Sequence, residues 1–307
     1  MKGIIFAGDS FTWGQGLHHY SELPTVVEPK NNQYIKSEYR NSHLNYIKTV
    51  RFPRLVANYF NTFEIVQFEN GGNEDVSFEF INHLFEYENN PIRNHLYNKE
   101  KYYTNEIDYI ILQTSAPDRN IFPFIFNDKQ YIFNVPYAST KKDKNEFEPG
   151  MADFDIFYEW LKFNNKTYEE WYDEFLKYIL NNVKEQFIFY ERLGIKTKIF
   201  CWKSDYINII KNDEFLNNRF IKLKYNNTEY DCIDDLTKEF PNLIIANDFV
   251  NFKNPPQDSH VSKECHDIIS NSIIENIEKC KNIYNIEYTK ESGKIYPTKH
   301  QLQKKLI

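Results

Sequence analysis

Short apolar runs alternate with longer amphipathic stretches along this chain. Gly3–Ala7 carries no polar side chain, the pattern of a central strand covered on both faces. Runs at 63–68, 108–113, 195–202 and 242–246 predict a second, third, fourth and fifth strand. Between them the period changes from two to about 3.6 residues. Residues 52–60 predict a helix with Pro53 in its first turn and with Leu55, Val56, Tyr59 and Phe60 on its buried face. A second helix runs through Phe78, Phe80, Ile81 and Leu84. The longest helical pattern is 167–193, with Thr167 as N-cap, Glu169 and Glu170 in the first turn, and Gly194 closing it. The last begins at Ser262 and runs to about Lys281, apolar at Cys265, Ile268, Ile269, Ile273 and Ile277.

Strands alternating with helices imply an α/β fold: a three-layer α/β/α sandwich with a central, mostly parallel, flavodoxin-like sheet and right-handed crossovers. Residues 1–282 read as one domain. Residues 120–165 do not fit the alternation. They hold Phe122-Pro123-Phe124-Ile125-Phe126 and a polar turn at 141–144, and read as an aromatic-rich insertion or lid on the active edge of the sheet. Residues 283–307 form a C-terminal arm in which lysines outnumber acids.

Composition narrows the function. The 307 residues carry a net charge of -7, so no global positive field draws the chain to nucleic acid. No uninterrupted apolar stretch reaches about 18 residues, the length of a membrane span. The first residues lack the shape of a signal peptide, and the four cysteines form no C-x-x-C pair. A cytoplasmic, reducing location is the expectation. Aromatic residues make up 17% of the chain; Phe, Tyr, Asn, Lys and Ile share AT-rich codons, so codon bias explains this texture more simply than stacking surfaces for sugars or bases.

Two short motifs carry chemistry. Gly8-Asp9-Ser10 follows the first strand directly, at the sheet edge where open α/β folds keep their sites. Asp258-Ser259-His260 precedes the last helix. Alone, each is an ordinary turn. Together they supply a serine hydroxyl, an imidazole to take its proton and a carboxylate to fix the imidazole tautomer. His18 and His19, in the loop after Ser10, either line the pocket or, more simply, form a solvated loop; His266 either stands near the site or, by default, lies on a helix surface; no metal ligand set and no cofactor motif is present. A nucleotide-binding fold is set aside because neither a Walker A run nor G-x-G-x-x-G follows the first strand.

With these blocks the chain resembles the SGNH (GDSL) hydrolases. The resemblance implies Ser10 as nucleophile, His260 as base and Asp258 as its orienting acid. It places the Ser10 amide in the oxyanion hole, together with a glycine amide after the second strand. Within Asn70-Gly71-Gly72-Asn73 that glycine is Gly72, with Gly71 close behind. The family's third block, Gly-x-Asn-Asp, is replaced here by Leu112-Gln113-Thr114-Ser115; Thr114 stands where the asparagine donor belongs, with Ser115 and Gln113 as alternatives. Asp9, Trp13, Asn73 and Arg119 are candidate substrate contacts. The implied activity is that of a serine esterase or O-deacetylase acting through an acyl-serine on a small-molecule or glycan ester. An acyltransferase using the same site, or a binding module that keeps the fold, are the alternatives.

Overall fold

The structure is a computed structural model that describes residues 1–21, 25–27, 33–35, 40–67, 73–85, 102–140, 150–251 and 256–291. Its centre is a four-stranded parallel sheet. The strands are β1 (Gly3–Ala7), β2 (Glu64–Val66), β3 (Ile107–Thr114) and β4 (Lys196–Cys201), in the spatial order β2-β1-β3-β4. The order reverses direction at β1 and β3. In open α/β sheets the crevice beyond the carboxyl ends at such a switch is where ligands bind.

Alternation along the strands divides the core into two layers. Ile5 and Ala7 of β1, Ile110 and Leu112 of β3, and Ile199 and Cys201 of β4 face one side. There they meet α3 (Glu74–Phe85) and α4 (Tyr168–Arg192), numbered after α1 (Ser10–Trp13) and α2 (Phe52–Tyr59). Ile4 and Phe6, Tyr109 and Ile111, and Phe200 face the other side, against α2 and α5 (Lys263–Glu291). A strand covered on both faces has no place for polar side chains, which explains the uniformly buried Gly3–Ala7.

The helix ends follow their capping signals. Thr167 Oγ1 accepts the Glu170 amide while Glu170 reaches back to the Thr167 amide, a reciprocal capping box. Ser262 accepts the Cys265 amide, and Cys265, Ile268, Ile269, Ile273 and Ile277 are all buried as expected. The buried face of α2 is rotated from the expected one: Phe52, Pro53, Val56 and Ala57 are buried, whereas Tyr59 is exposed and Leu55 and Phe60 are half-buried. Packing of Phe52 against Phe6 and Phe200 sets this rotation.

The expected fifth strand at 242–246 is not a strand. Pro241–Leu243 forms a 3₁₀ turn and Ile245–Asp248 a short helix, with a single antiparallel bridge between Ile244 and Val261. Pro241 lacks an amide donor and favours the turn. The bridge still matters, because the Ile245 amide donates to His260 O at 2.9 Å and the Ala246 amide to Asp258 O at 2.9 Å.

Within 120–165, Phe122–Phe126 and Lys129–Phe133 pair as an antiparallel hairpin, followed by the helices Val135–Thr140 and Phe154–Phe163. Phe124, Phe133 and Phe157 pack inward, whereas Tyr158 and Phe163 are exposed. Phe133 stacks on Phe157 with ring centroids 3.9 Å apart, and Phe157 meets the edge of Trp171 at 4.7 Å. The polar turn at 141–144 lies outside the described residues.

Glu74 ties this half of the molecule to the end of β3. Its carboxylate accepts the Ser115 amide at 2.8 Å and the Asn120 side-chain amide at 2.7 Å. Burial pushes the Glu74 carboxyl up to about 7, against the pull of those two donors.

Two predictions follow from this packing. Phe157→Ala removes the centre of the aromatic cluster and is expected to destabilise the fold by about 3–5 kcal/mol in urea denaturation, whereas Phe163→Ala, at a residue 74% exposed, stays within about 0.5 kcal/mol of wild type. The folded protein holds the Glu74 proton more tightly than the unfolded chain does, so this group's contribution to stability is fully present below its ordinary value of 4.5 and is lost as pH rises towards 7. The stability of wild type relative to Glu74→Gln should therefore fall across that window and level off above it.

Candidate active site

The end of β1 turns sharply because Gly8 leaves no room for a side chain. A Cβ there would stand 2.4 Å from Thr12 Oγ1 and 2.9 Å from Gln113 Cβ. The Gly8 amide donates to Gln67 Oε1 at 2.9 Å, which fixes the turn to the residue after β2. Asp9 then caps α1, its Oδ1 accepting the Phe11 amide at 3.0 Å. Ser10 opens α1, so its amide belongs to a first turn whose N–H groups have no partner within the helix.

Asp9 is fully buried and does not face solvent as a substrate contact would. Gln113 Nε2 donates to its Oδ1 at 2.8 Å, and Arg119 Nη1 to its Oδ2 at 3.1 Å. Burial pushes the Asp9 carboxyl up, opposed by its bonds to Phe11 and Gln113 and by the Arg119 charge. Gln113 is committed on its other side too, its Oε1 accepting from Thr12 Oγ1 at 2.7 Å. The Asp9–Gln113–Thr12 chain thus holds the turn that carries Ser10.

Ser10 and His260, 250 positions apart, meet across the crevice. His260 Nε2 lies 2.9 Å from Ser10 Oγ, and His260 Nδ1 lies 2.6 Å from Asp258 Oδ1. Asp258 Oδ1 also accepts the His260 amide at 2.9 Å, so the two residues lock each other. Burial opposes ionisation of Asp258, but the hydrogen bonds from His19 and His260 hold its carboxyl well below the usual carboxylate range. An ionised carboxylate only accepts hydrogen bonds, so Nδ1 of His260 carries the proton. Nε2 is left with the lone pair that receives the Ser10 hydroxyl. That arrangement can remove the serine proton as the oxygen attacks.

The neighbouring expected residues divide. Arg119 lies beside Ser10 through its ion pair with Asp9, and its guanidinium stacks 4.9 Å from the Trp202 ring. Trp202 in turn packs on Phe11 at 4.5 Å, and Phe11 on His260 at 5.3 Å. Asn73 serves structure: its Oδ1 accepts the Val76 amide and its Nδ2 donates to Arg119 O. Trp13 packs under the Arg51 guanidinium at 4.6 Å. Thr114 is fully buried with its hydroxyl beside the Cys201 thiol, and the Ser115 amide and hydroxyl turn to Glu74. Gly71 and Gly72 lie outside the described residues.

Three histidines differ from expectation. His19 is not solvated: its side chain is 4% exposed and its Nε2 lies 3.3 Å from Asp258 Oδ2. His18 stacks against it with ring centroids 4.0 Å apart. His266 is buried rather than on the helix surface; its Nδ1 accepts the Phe52 amide at 3.2 Å, and burial pushes its pKa down to about 3. Sequence does not single out Trp202 for the site, and it reads His19 as lining the pocket or, more simply, as solvated. The available signal for His19 was Gly16, three residues before it, whose φ of +86° marks a turn forced close to another chain segment. No group of three or more His, Cys, Asp or Glu side chains is arranged to hold a metal ion among the described residues, and no described helix is long and apolar enough to cross a membrane.

No family model matches the chain, and no curated protein matches it in sequence. Solved structures do. One is a carbohydrate esterase whose active site displays divergent catalytic and non-catalytic binding functions; it is 12% identical, with a TM-score of 0.41, over 90% of this chain and 68% of that one. A family two carbohydrate esterase from Clostridium thermocellum, in complex with cellohexaose, is 12% identical with a TM-score of 0.32, over 92% of this chain and 65% of that one. An active-site mutant of a family two carbohydrate esterase from the same organism is 11% identical with a TM-score of 0.33, over 91% of this chain and 63% of that one. The chain thus spans about two thirds of the length of these esterases.

Proposed function

We propose that the chain is a serine ester hydrolase, with Ser10 as nucleophile, His260 as general base and acid, and Asp258 as the orienting carboxylate. The observation that carries this reading is the continuous line from Ser10 Oγ to His260 Nε2 at 2.9 Å and from His260 Nδ1 to Asp258 Oδ1 at 2.6 Å. Ser10 Oγ attacks the acyl carbonyl and its proton passes to His260 Nε2. The imidazolium that forms is stabilised by Asp258. The oxyanion is held by the Ser10 amide. Thr114 contributes only if its hydroxyl turns away from Cys201. His260 then protonates the departing alcohol, which leaves the acyl-serine. Water, deprotonated by His260, attacks that ester, releases the acid and restores Ser10.

The substrate is an acyl ester of a small molecule or glycan. Phe11, Trp202 and Arg119 form an aromatic and cationic border beside the reacting pair, which supports an alcohol with polar groups. Acetylated carbohydrates are the first natural esters to test. Phe124 and Phe133 of the hairpin pack inward, which removes them as sugar-stacking surfaces. A second reading, binding without turnover, is favoured by one feature: Gln113 and Ser115 direct their side chains to other partners, and Thr114 is fully buried. Loss of one oxyanion donor lowers rates by about 100- to 1,000-fold.

Turnover decides between the readings. Wild type is expected to hydrolyse p-nitrophenyl acetate, with kcat falling at least about 1,000-fold in Ser10→Ala and His260→Ala while their thermal unfolding stays close to wild type. Equal hydrolysis by Ser10→Ala would overturn the proposal; binding of an acetylated glycan with no turnover by wild type would favour the second reading.

A pH profile adds an independent check. Asp258 is held well below the usual carboxylate range, so it stays ionised where ordinary carboxylates gain protons. Activity should fall with falling pH along a limb of unit slope, with no second step from Asp258. A limb of slope two above about pH 4 would show that Asp258 is protonating as well.

A further inference from the structure

We infer that His19 is a positioning residue for the proposed hydrolysis, holding the outer oxygen of Asp258 so that the inner one stays aimed at His260. The inference rests on the catalytic reading of Ser10, His260 and Asp258. Its observation is separate: Asp258 is gripped by two imidazoles, His260 on Oδ1 at 2.6 Å and His19 on Oδ2 at 3.3 Å. Because the carboxylate is ionised, His19 must present a proton on Nε2 to it.

The chain is built to bring His19 there. A Cβ on Gly16 would stand 2.7 Å from Asp258 Oδ2 and 2.5 Å from Ile245 Cδ1, so only glycine lets this turn approach the carboxylate. The following turn, Leu17–Tyr20, is anchored at both ends. Leu17 is fully buried, and Tyr20 Oη donates to Asp248 Oδ2 at 2.5 Å. The Tyr20 ring also packs on Phe249 at 4.9 Å, and the His19 ring lies 6.4 Å from the same phenylalanine. Asp258 is held from its other side by the Ala246 amide on its carbonyl. A carboxylate fixed at both oxygens cannot rotate away from His260, and restricting that rotation is what an orienting group requires.

Among the described residues, the titratable groups around this pair are mainly histidines, with His43 meeting His18 edge-on at 5.9 Å. His260 and His19 face Asp258 directly, His18 stacks on His19, and Asp9 and His266 act on His260 through space. Removing the His19 donor leaves Asp258 more basic. A more basic Asp258 takes up its proton at higher pH, which shifts the acid limb of activity the same way.

The test compares wild type with His19→Ala and His19→Gln, the glutamine placing an amide N–H where Nε2 stands. In hydrolysis of p-nitrophenyl acetate, His19→Ala should lower kcat by about 10- to 100-fold with little change in KM. Its acid limb should move to higher pH, and His19→Gln should return both values most of the way to wild type. Carbon NMR of the Asp258 side-chain carboxyl gives a readout that needs no turnover: its titration should move up in His19→Ala and return in His19→Gln. An Asp258 signal and an acid limb unchanged in His19→Ala would overturn the inference. Absence of hydrolysis by wild type, with the Asp258 signal shifting as described, would instead overturn the catalytic reading and leave His19 as the anchor of a non-hydrolytic site.

Discussion

Asp258 occupies the point on which the site's geometry turns. It is a carboxylate in a confined place, and such a group persists only if donors replace the water it has lost. Three donors do so: the His260 amide, the His260 ring and the His19 ring. Their one-way chemistry fixes the tautomer of His260 and leaves its Nε2 lone pair facing Ser10. The loop carrying Asp258 is pinned by the bridge near Ile244, and the turn carrying His19 can approach only because residue 16 is glycine. Altering any of these supports changes what reaches the serine.

A second buried carboxylate lies on the nucleophile's side. Asp9 accepts bonds from Phe11, Gln113 and Arg119, and so couples β1, β3 and the loop beyond β3. Burying a charge this way is unfavourable unless it is paired, and Arg119 supplies the pairing. The same arginine extends over Trp202, so the residue that neutralises Asp9 also shapes the border of the crevice. This pairing explains why Asp9, expected as a substrate contact, lies wholly inside.

The frame was legible in the sequence because its signals are local. An unbroken apolar run such as Gly3–Ala7 can be little other than a covered strand, and Thr167 with Glu170 specifies a helix start through bonds within four residues. Ser10, Asp258 and His260 were legible because Gly-Asp-Ser and Asp-x-His keep their chemistry in short spans. What was not legible depends on distant partners. The segment 242–246 has a strand's composition but forms a single bridge, Ile244 to Val261, and Pro241 before it favours a turn. The face of α2 is set by Phe6 and Phe200, and the burial of His266 by Phe52. The contact between His19 and Asp258 joins residues far apart in the chain, and in sequence two histidines in a loop resemble any solvated pair.

The central claim is that Ser10 is an activated nucleophile rather than a capping serine that happens to lie near a histidine. The most direct measurement is reaction of the intact protein with a fluorophosphonate probe, followed by mass spectrometry of the modified peptide. One adduct per chain is expected, on Ser10, formed far faster than on any other hydroxyl, because its base at 2.9 Å is itself oriented by a carboxylate. No adduct, or an adduct that forms equally on His260→Ala, would contradict it.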